Sequence, residues 1–305
     1  MEVSPAEFRE LFQRVSNWGR WGPDDERGAL NYLSPERVAA AAGLVRSGRT
    51  FSLSRPLDTE REPDNPEPAE HRMTMLGGRD HPVGLAFAKD YIGVDYHNDS
   101  HSHLDALCHV SYDGSLYNGR PADSVSVDGA AAETVEALKD GLVGRGVMLD
   151  IPRTRDVGWL EPGDSVLPGD LEKAERIQEI QVGEGDILLV RTGHAERLDE
   201  LGPWDTASSK AGLHPSCAAF LAERRVAALG SDGNSDTAPG ITEGVGFPIH
   251  VLALVAMGVH LLDYLHLREL AGACETWSRW EFLFVGAPLR ITGGTGSPLN
   301  PLAVF

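Results

Sequence analysis

The apolar positions of this chain follow two rhythms. Near the N-terminus Phe8, Leu11, Phe12 and Val15 recur at three- and four-residue spacing, which predicts a helix over 7–15. The glycines and proline among Trp18, Gly19, Trp21, Gly22 and Pro23 break it. A second helix is expected to start at Ser34 as N-cap with Pro35 in its first turn, to run through 38–45 and to stop at Gly48. From residue 50 the period shortens: Phe51 and Leu53 alternate with Ser52 and Ser54, a strand pattern over 50–57. Residues 58–70 interleave Pro63, Pro66 and Pro68 with Glu60, Glu62, Asp64, Glu67 and Glu70 and read as a solvated loop. Another strand is expected over 91–94.

The second half alternates short apolar runs with helical segments. Residues 146–151, 186–192, 226–229, 259–262 and 281–285 read as strands, the first two bounded by turn residues and buried; 171–180, 214–225 and 249–257 read as helices. Such alternation predicts an α/β protein with a sheet covered by helices. No internal repeat is visible.

Composition narrows the function classes. A formal charge of -19 over 305 residues argues against a nucleic-acid partner, which needs a basic surface. The first residues lack the basic and apolar regions of a secretory signal, and the apolar run 251–259 is too short to span a bilayer. Cys108, Cys217 and Cys274 are an odd, widely spaced set rather than a disulfide framework. The expectation is a cytoplasmic enzyme with a small-molecule substrate and neither nucleic-acid nor membrane partner. No Gly-x-Ser-x-Gly elbow supports a serine hydrolase, and the glycine-rich stretch 293–297 lacks the lysine of a phosphate loop and reads as a turn.

The densest chemistry lies between His97 and His109, where His97, Asp99, His101, His103, Asp105 and His109 all fall on odd positions. In an extended strand these side chains would share one face. Imidazole nitrogen and carboxylate oxygen together suit zinc, manganese or ferrous iron, and an ion with an open position acidifies a water. Cys108, beside Leu107 and close to carboxylates, reads as a packing residue. Trp18 and Trp21 are candidates for lining a substrate pocket, as is His101; wedging the N-terminal segment onto the main body is the favoured use of the two tryptophans.

The run from Ser102 to His109 (Ser-His-Leu-Asp-Ala-Leu-Cys-His) resembles the Thr-His-x-Asp-x-Pro-x-His signature of the cyclase family, which includes bacterial kynurenine formamidases and isatin hydrolases. Further stretches are similar in the same order. They are Asp-Ile-Leu-Leu-Val-Arg-Thr-Gly at 186–193, Gly-Ser-Asp-Gly-Asn-Ser-Asp at 230–236, His250 with Asp263 thirteen residues later, and the closing 287–298. The resemblance covers about residues 50–305, leaving 1–49 as a helical arm. It implies a swivelling β/β/α fold with a mixed central sheet flanked by helices, assembled as a homodimer or homotetramer. It also implies a divalent metal, manganese or zinc, and hydrolysis of a C–N bond in an amide, formamide or cyclic amide; a cyclase, dehydratase or lactone hydrolase is the alternative.

Carried over position by position, the resemblance makes Asp99, His103 and Asp105 metal ligands and His109 the general base. His250 and Asp263 become a second metal position or a substrate-orienting pair. Asp99 stands where the family usually has histidine, with His97 or His101 as replacements for it as third ligand. Asp263 replaces the late glutamate, and His101 and Leu107 occupy the signature glycine and proline positions. The added carboxylate tilts the donor set towards manganese.

Overall fold

The computed structural model describes residues 2–75 and 87–305. Its centre is a nine-stranded mixed sheet. In chain order the strands are β1 (Thr50–Ser52), β2 (His103–Asp105), β3 (Leu142–Asp150), β4 (Ile187–Arg191), β5 (Ala228–Ser231), β6 (His260–Asp263), β7 (Glu281–Gly286), β8 (Gly296–Pro298) and β9 (Leu302–Val304). Across the sheet they run β1, β9, β7, β3, β4, β5, β6, β2, β8. β3 to β6 form a parallel centre, and the strands outside it pair antiparallel.

The apolar runs make sense in this setting. β4 and β5 are buried at every residue, as expected of central parallel strands covered on both faces. Their alternate side chains feed two separate cores. Val147, Leu149, Leu188, Val190, Leu229 and Leu261 point into one, and Met148, Ile187, Leu189, Ala228 and Leu262 into the other. β7, beyond the parallel centre, instead alternates buried with half-buried residues. Helices cover the sheet, giving the mixed α/β architecture expected from the sequence. Among the described residues no helix is long and apolar enough to cross a membrane.

Several expectations shift. The helix from Pro35 ends at Ala42 rather than near Gly48, because the chain turns at Gly43 and the amides of Ser47 and Gly48 donate to the carbonyl of Phe305. The acidic loop after β1 is not solvated throughout: Asp64 and Asn65 are buried, with Asn65 Nδ2 donating to the carbonyls of Glu60 and Asp58. The helix expected over 249–257 starts as a single turn, Pro248–His250, and continues as a π-helix, Val251–Met257. π-turns inside helices often accompany functional sites. The glycine-rich stretch near the C-terminus supplies strand β8.

The N-terminal segment lies against the body of its own chain. Phe8 is fully buried in the first core. The amides of Asn17 and Ala29 donate to the carbonyls of Ala256 and Gly258. Trp18 Nε1 donates to the carbonyl of Val255 at 2.7 Å, and its ring meets Phe12 edge-on. Trp21 packs edge-on against Tyr32. These contacts attach the segment.

Candidate metal centre

Only three residues of the histidine-rich run are strand. β2 pairs antiparallel with β6 in a register that sets His103 opposite Asp263 and Asp105 opposite Leu261. Directly paired residues present side chains to the same face, so His103 and Asp263 meet, and Asp105, two residues after His103, joins them. After Ala106 the chain tightens into a 3₁₀ turn, Leu107–His109, which brings His109 back. His97 arrives from the irregular segment before β2. The six odd-numbered side chains therefore do not line one strand face, as the spacing alone suggested.

Asp105 is the hub. It is completely buried, and neither carboxylate oxygen has a hydrogen-bond partner. His97 Nδ1 lies 2.8 Å and His103 Nε2 3.5 Å from Oδ1, while His250 Nε2 lies 3.5 Å from Oδ2 and 3.3 Å from Asp263 Oδ2. Asp263 Oδ2 and His97 Nδ1 are likewise buried and unpartnered, so these approaches are not aligned as hydrogen bonds.

Each of the three imidazoles has its other nitrogen occupied from outside. His97 Nε2 meets Thr295 Oγ1 at 3.0 Å, His103 Nδ1 meets the carbonyl of His101 at 2.7 Å, and His250 Nδ1 meets Asp236 Oδ2 at 2.6 Å. That arrangement fixes the rings and leaves the inner nitrogens facing the carboxylates, as metal-binding histidines require. Asp236 also accepts from the amides of Ile249 and His250, and Ser235 donates through both N and Oγ to Asp263 Oδ1.

Among the described residues two overlapping groups have ligand atoms within 4.8 Å of one another: His97, Asp105 and His109, and His103, Asp105 and Asp263. The residues fit a divalent cation. Buried carboxylate oxygens without hydrogen-bond donors attract positive charge, which a cation placed between them would supply. Space is left for His97 by Gly296, where a Cβ would stand 2.8 Å from the His97 ring and 2.3 Å from the carbonyl of Leu104.

The electrostatics follow the same geometry. Burial works against charge on Asp105, yet His109 and His103 hold its carboxyl well below the usual range. Burial likewise opposes charge on His250, but Asp105, Asp236 and Asp263 raise it well above the ordinary histidine value. Burial lowers His109 to about 4, only partly offset by Asp105. That ring is neutral at pH 7, about one quarter exposed, stacked 3.8 Å from His97, with Nε2 4.0 Å from Asp105 Oδ1.

The structure thus brings His103, Asp105, His109, His250 and Asp263 together, and places His97 among them. Asp99 is elsewhere: both its oxygens accept from Lys210 Nζ, at 2.9 and 3.1 Å, and Oδ1 accepts from Tyr264 Oη at 2.6 Å. His101 is buried outside both groups, its ring nitrogens unpartnered. Trp18 meets the carbonyl of Val255 and the ring of Phe12, and Trp21 the ring of Tyr32. Asp236, Ser235, Thr295, Lys210 and Tyr264 were not singled out by the sequence reading, although the 230–236 motif contains the first two.

The Cyclase family model matches residues 51–236. A comparison with curated proteins returns no match. A crystal structure described as a novel cyclase is 35% identical, covers 95% of this chain and 99% of its own, and superposes with a TM-score of 0.87. Isatin hydrolase A from Ralstonia solanacearum is 21% identical over 88% of this chain and 96% of its own, with a TM-score of 0.59. Isatin hydrolase A from Labrenzia aggregata, bound to benzyl benzoate, is 23% identical over 89% and 98%, with a TM-score of 0.60.

Proposed function

This chain belongs to the Cyclase family, and from that premise we propose that it is a metal-dependent hydrolase of a C–N bond in a small aromatic metabolite, an amide, formamide or cyclic amide. One observation carries the reading. Asp105 is a fully buried carboxylate with no hydrogen-bond donor, faced by imidazole nitrogens whose rings are braced from behind. That the same fold carries isatin hydrolases supports it.

His97, His103, Asp105, His250 and Asp263 would hold manganese or zinc. Bound there, the ion supplies Lewis acidity to a substrate carbonyl and to water. His109, the most exposed of the four imidazoles around Asp105, takes the proton from the attacking water and returns it to the departing nitrogen; its neutral ring at pH 7 suits the first step. Ser235 and Asp236 keep Asp263 and His250 from turning away. Phe247, half-exposed and 5.5 Å from the His250 ring, offers an apolar face to an aromatic substrate. A cytoplasmic homodimer or homotetramer belongs to the same reading.

The relative described as a cyclase favours a second reading, in which the same centre drives a cyclisation, a dehydration or the opening of a lactone. The test is turnover of N-formyl anilines, isatins and lactones by metal-reconstituted protein in ¹⁸O-water. The hydrolase reading expects acid release with one solvent oxygen in the product. Product formed from a C–N substrate without the label would overturn it in favour of proton transfer alone.

A further inference from the structure

Asp99 is a carboxylate two residues from His97, in the same irregular segment, yet it takes no part in the metal group. Its oxygens are fully engaged: Lys210 Nζ spans both, and Tyr264 Oη donates to one. The lysine is almost wholly buried, with 3% of its side chain exposed against 17% for Asp99. Its ammonium lies 3.5 Å from Tyr264 Oη, closing a three-membered network. Tyr264 follows Asp263 directly and holds φ at +55°, in the left-handed region that a tyrosine seldom adopts. Its ring lies nearly parallel to His103, with centroids 6.5 Å apart. The clamp and the candidate ligands therefore share a wall of the same site.

We propose that Lys210 and Tyr264 are positioning residues that withhold Asp99 from the metal group, so that the ion is held with His97 and not with a third carboxylate. The inference rests on the metal-centre reading above. Without Lys210, Asp99 keeps one hydrogen bond, from Tyr264, and faces a partly buried site with no cation paired to it. A carboxylate in that state is drawn towards positive charge; Arg55, which also acts on Tyr264, is already paired with Asp64 at 3.6 Å, and the ion lies across the wall that Tyr264 shares with His103. An added oxygen donor hardens the donor set and raises the coordination number, which favours manganese over zinc.

The test compares the wild type with Lys210→Met, Tyr264→Phe, Lys210→Arg and the double variant Lys210→Met/Asp99→Asn. Each is stripped of metal and re-equilibrated against equimolar zinc and manganese, and bound metal is measured by elemental analysis. The visible spectrum of the cobalt-substituted proteins is recorded alongside. Lys210→Met should shift the bound manganese-to-zinc ratio upward by about tenfold and weaken the cobalt bands as coordination rises. Tyr264→Phe should shift both in the same direction by less, and it serves as the test if Lys210→Met does not fold. Lys210→Arg should retain the wild-type ratio, and the double variant should return to it, because the amide cannot replace a carboxylate at the ion.

A purely structural role would lower stability without altering ratio or spectrum. Wild-type ratio and spectrum in both Lys210→Met and Tyr264→Phe would overturn the inference while leaving the metal centre in place. Failure of the wild type to bind any ion would instead overturn the reading on which it rests.

Discussion

Asp105 and Asp232 are the same residue type, equally buried, at the ends of neighbouring parts of one sheet, and they are used in opposite ways. Asp232 follows β5 and accepts four hydrogen bonds: from the amide and hydroxyl of Thr192 at 2.6 and 2.8 Å, and from the amides of Gly193 and His194 at 2.8 and 3.1 Å. It ties down the turn after β4, where Gly193 adopts a φ of +86°. Asp105 accepts none and is surrounded by imidazole nitrogens. A buried carboxylate supplied with donors stabilises the fold, whereas one left without them is held ready for a cation that the chain does not provide.

The comparison is broken most severely at Asp105. Asp105→Asn should reduce bound metal and turnover to background in elemental and activity assays. At pH 7 the metal-free variant should be less stable than the metal-free wild type, because the surrounding imidazoles that hold the Asp105 carboxyl well below its usual range lose the carboxylate they face. Next in size is His109→Ala, expected to lose on the order of 10²–10⁴-fold in turnover while keeping its metal. Loss of metal in that variant would move His109 among the ligands.

Asp232→Ala should do the reverse. Removing the acceptor strands four buried donors, and unfolding should show a loss of about 2–4 kcal/mol with unchanged metal content per folded molecule.

The smallest effect concerns a third buried carboxylate, Glu133, which burial raises to about 8 although Arg120 opposes the shift. Its folded value lies above that of the unfolded chain, so the folded state takes up the proton. The stabilising contribution is complete below about 4.5 and is lost as pH rises through about 8. Melting curves should therefore show Glu133→Gln gaining on the wild type at pH 9, with the difference narrowing at pH 5.

Much of this organisation was legible along the chain. The apolar runs marked β3 to β7, and Ser34 with Pro35 marked a helix start that the structure keeps. His103 and Asp105 could be paired from their spacing because that part of the run really is strand. Which of Asp99 and His97 lies beside Asp105 could not be read locally. It depends on Lys210 and Tyr264, 111 and 165 residues further on, which capture Asp99. The helix Arg268–Trp277 carries no capping side chain at its start, and β8 and β9 are three residues each, too short for a periodic signal. The bracing residues Thr295 and Asp236 are polar positions in loops, ordinary until the fold sets them behind His97 and His250.

The central claim is that Asp105 and the imidazoles around it form a metal centre. The most direct measurement is elemental analysis of purified wild-type protein after reconstitution and gel filtration, with Asp105→Asn carried through beside it. The account predicts at least one tightly held manganese or zinc ion per chain in the wild type and none in the variant. A wild type that emerges without metal, or a variant that retains as much as the wild type, would contradict it.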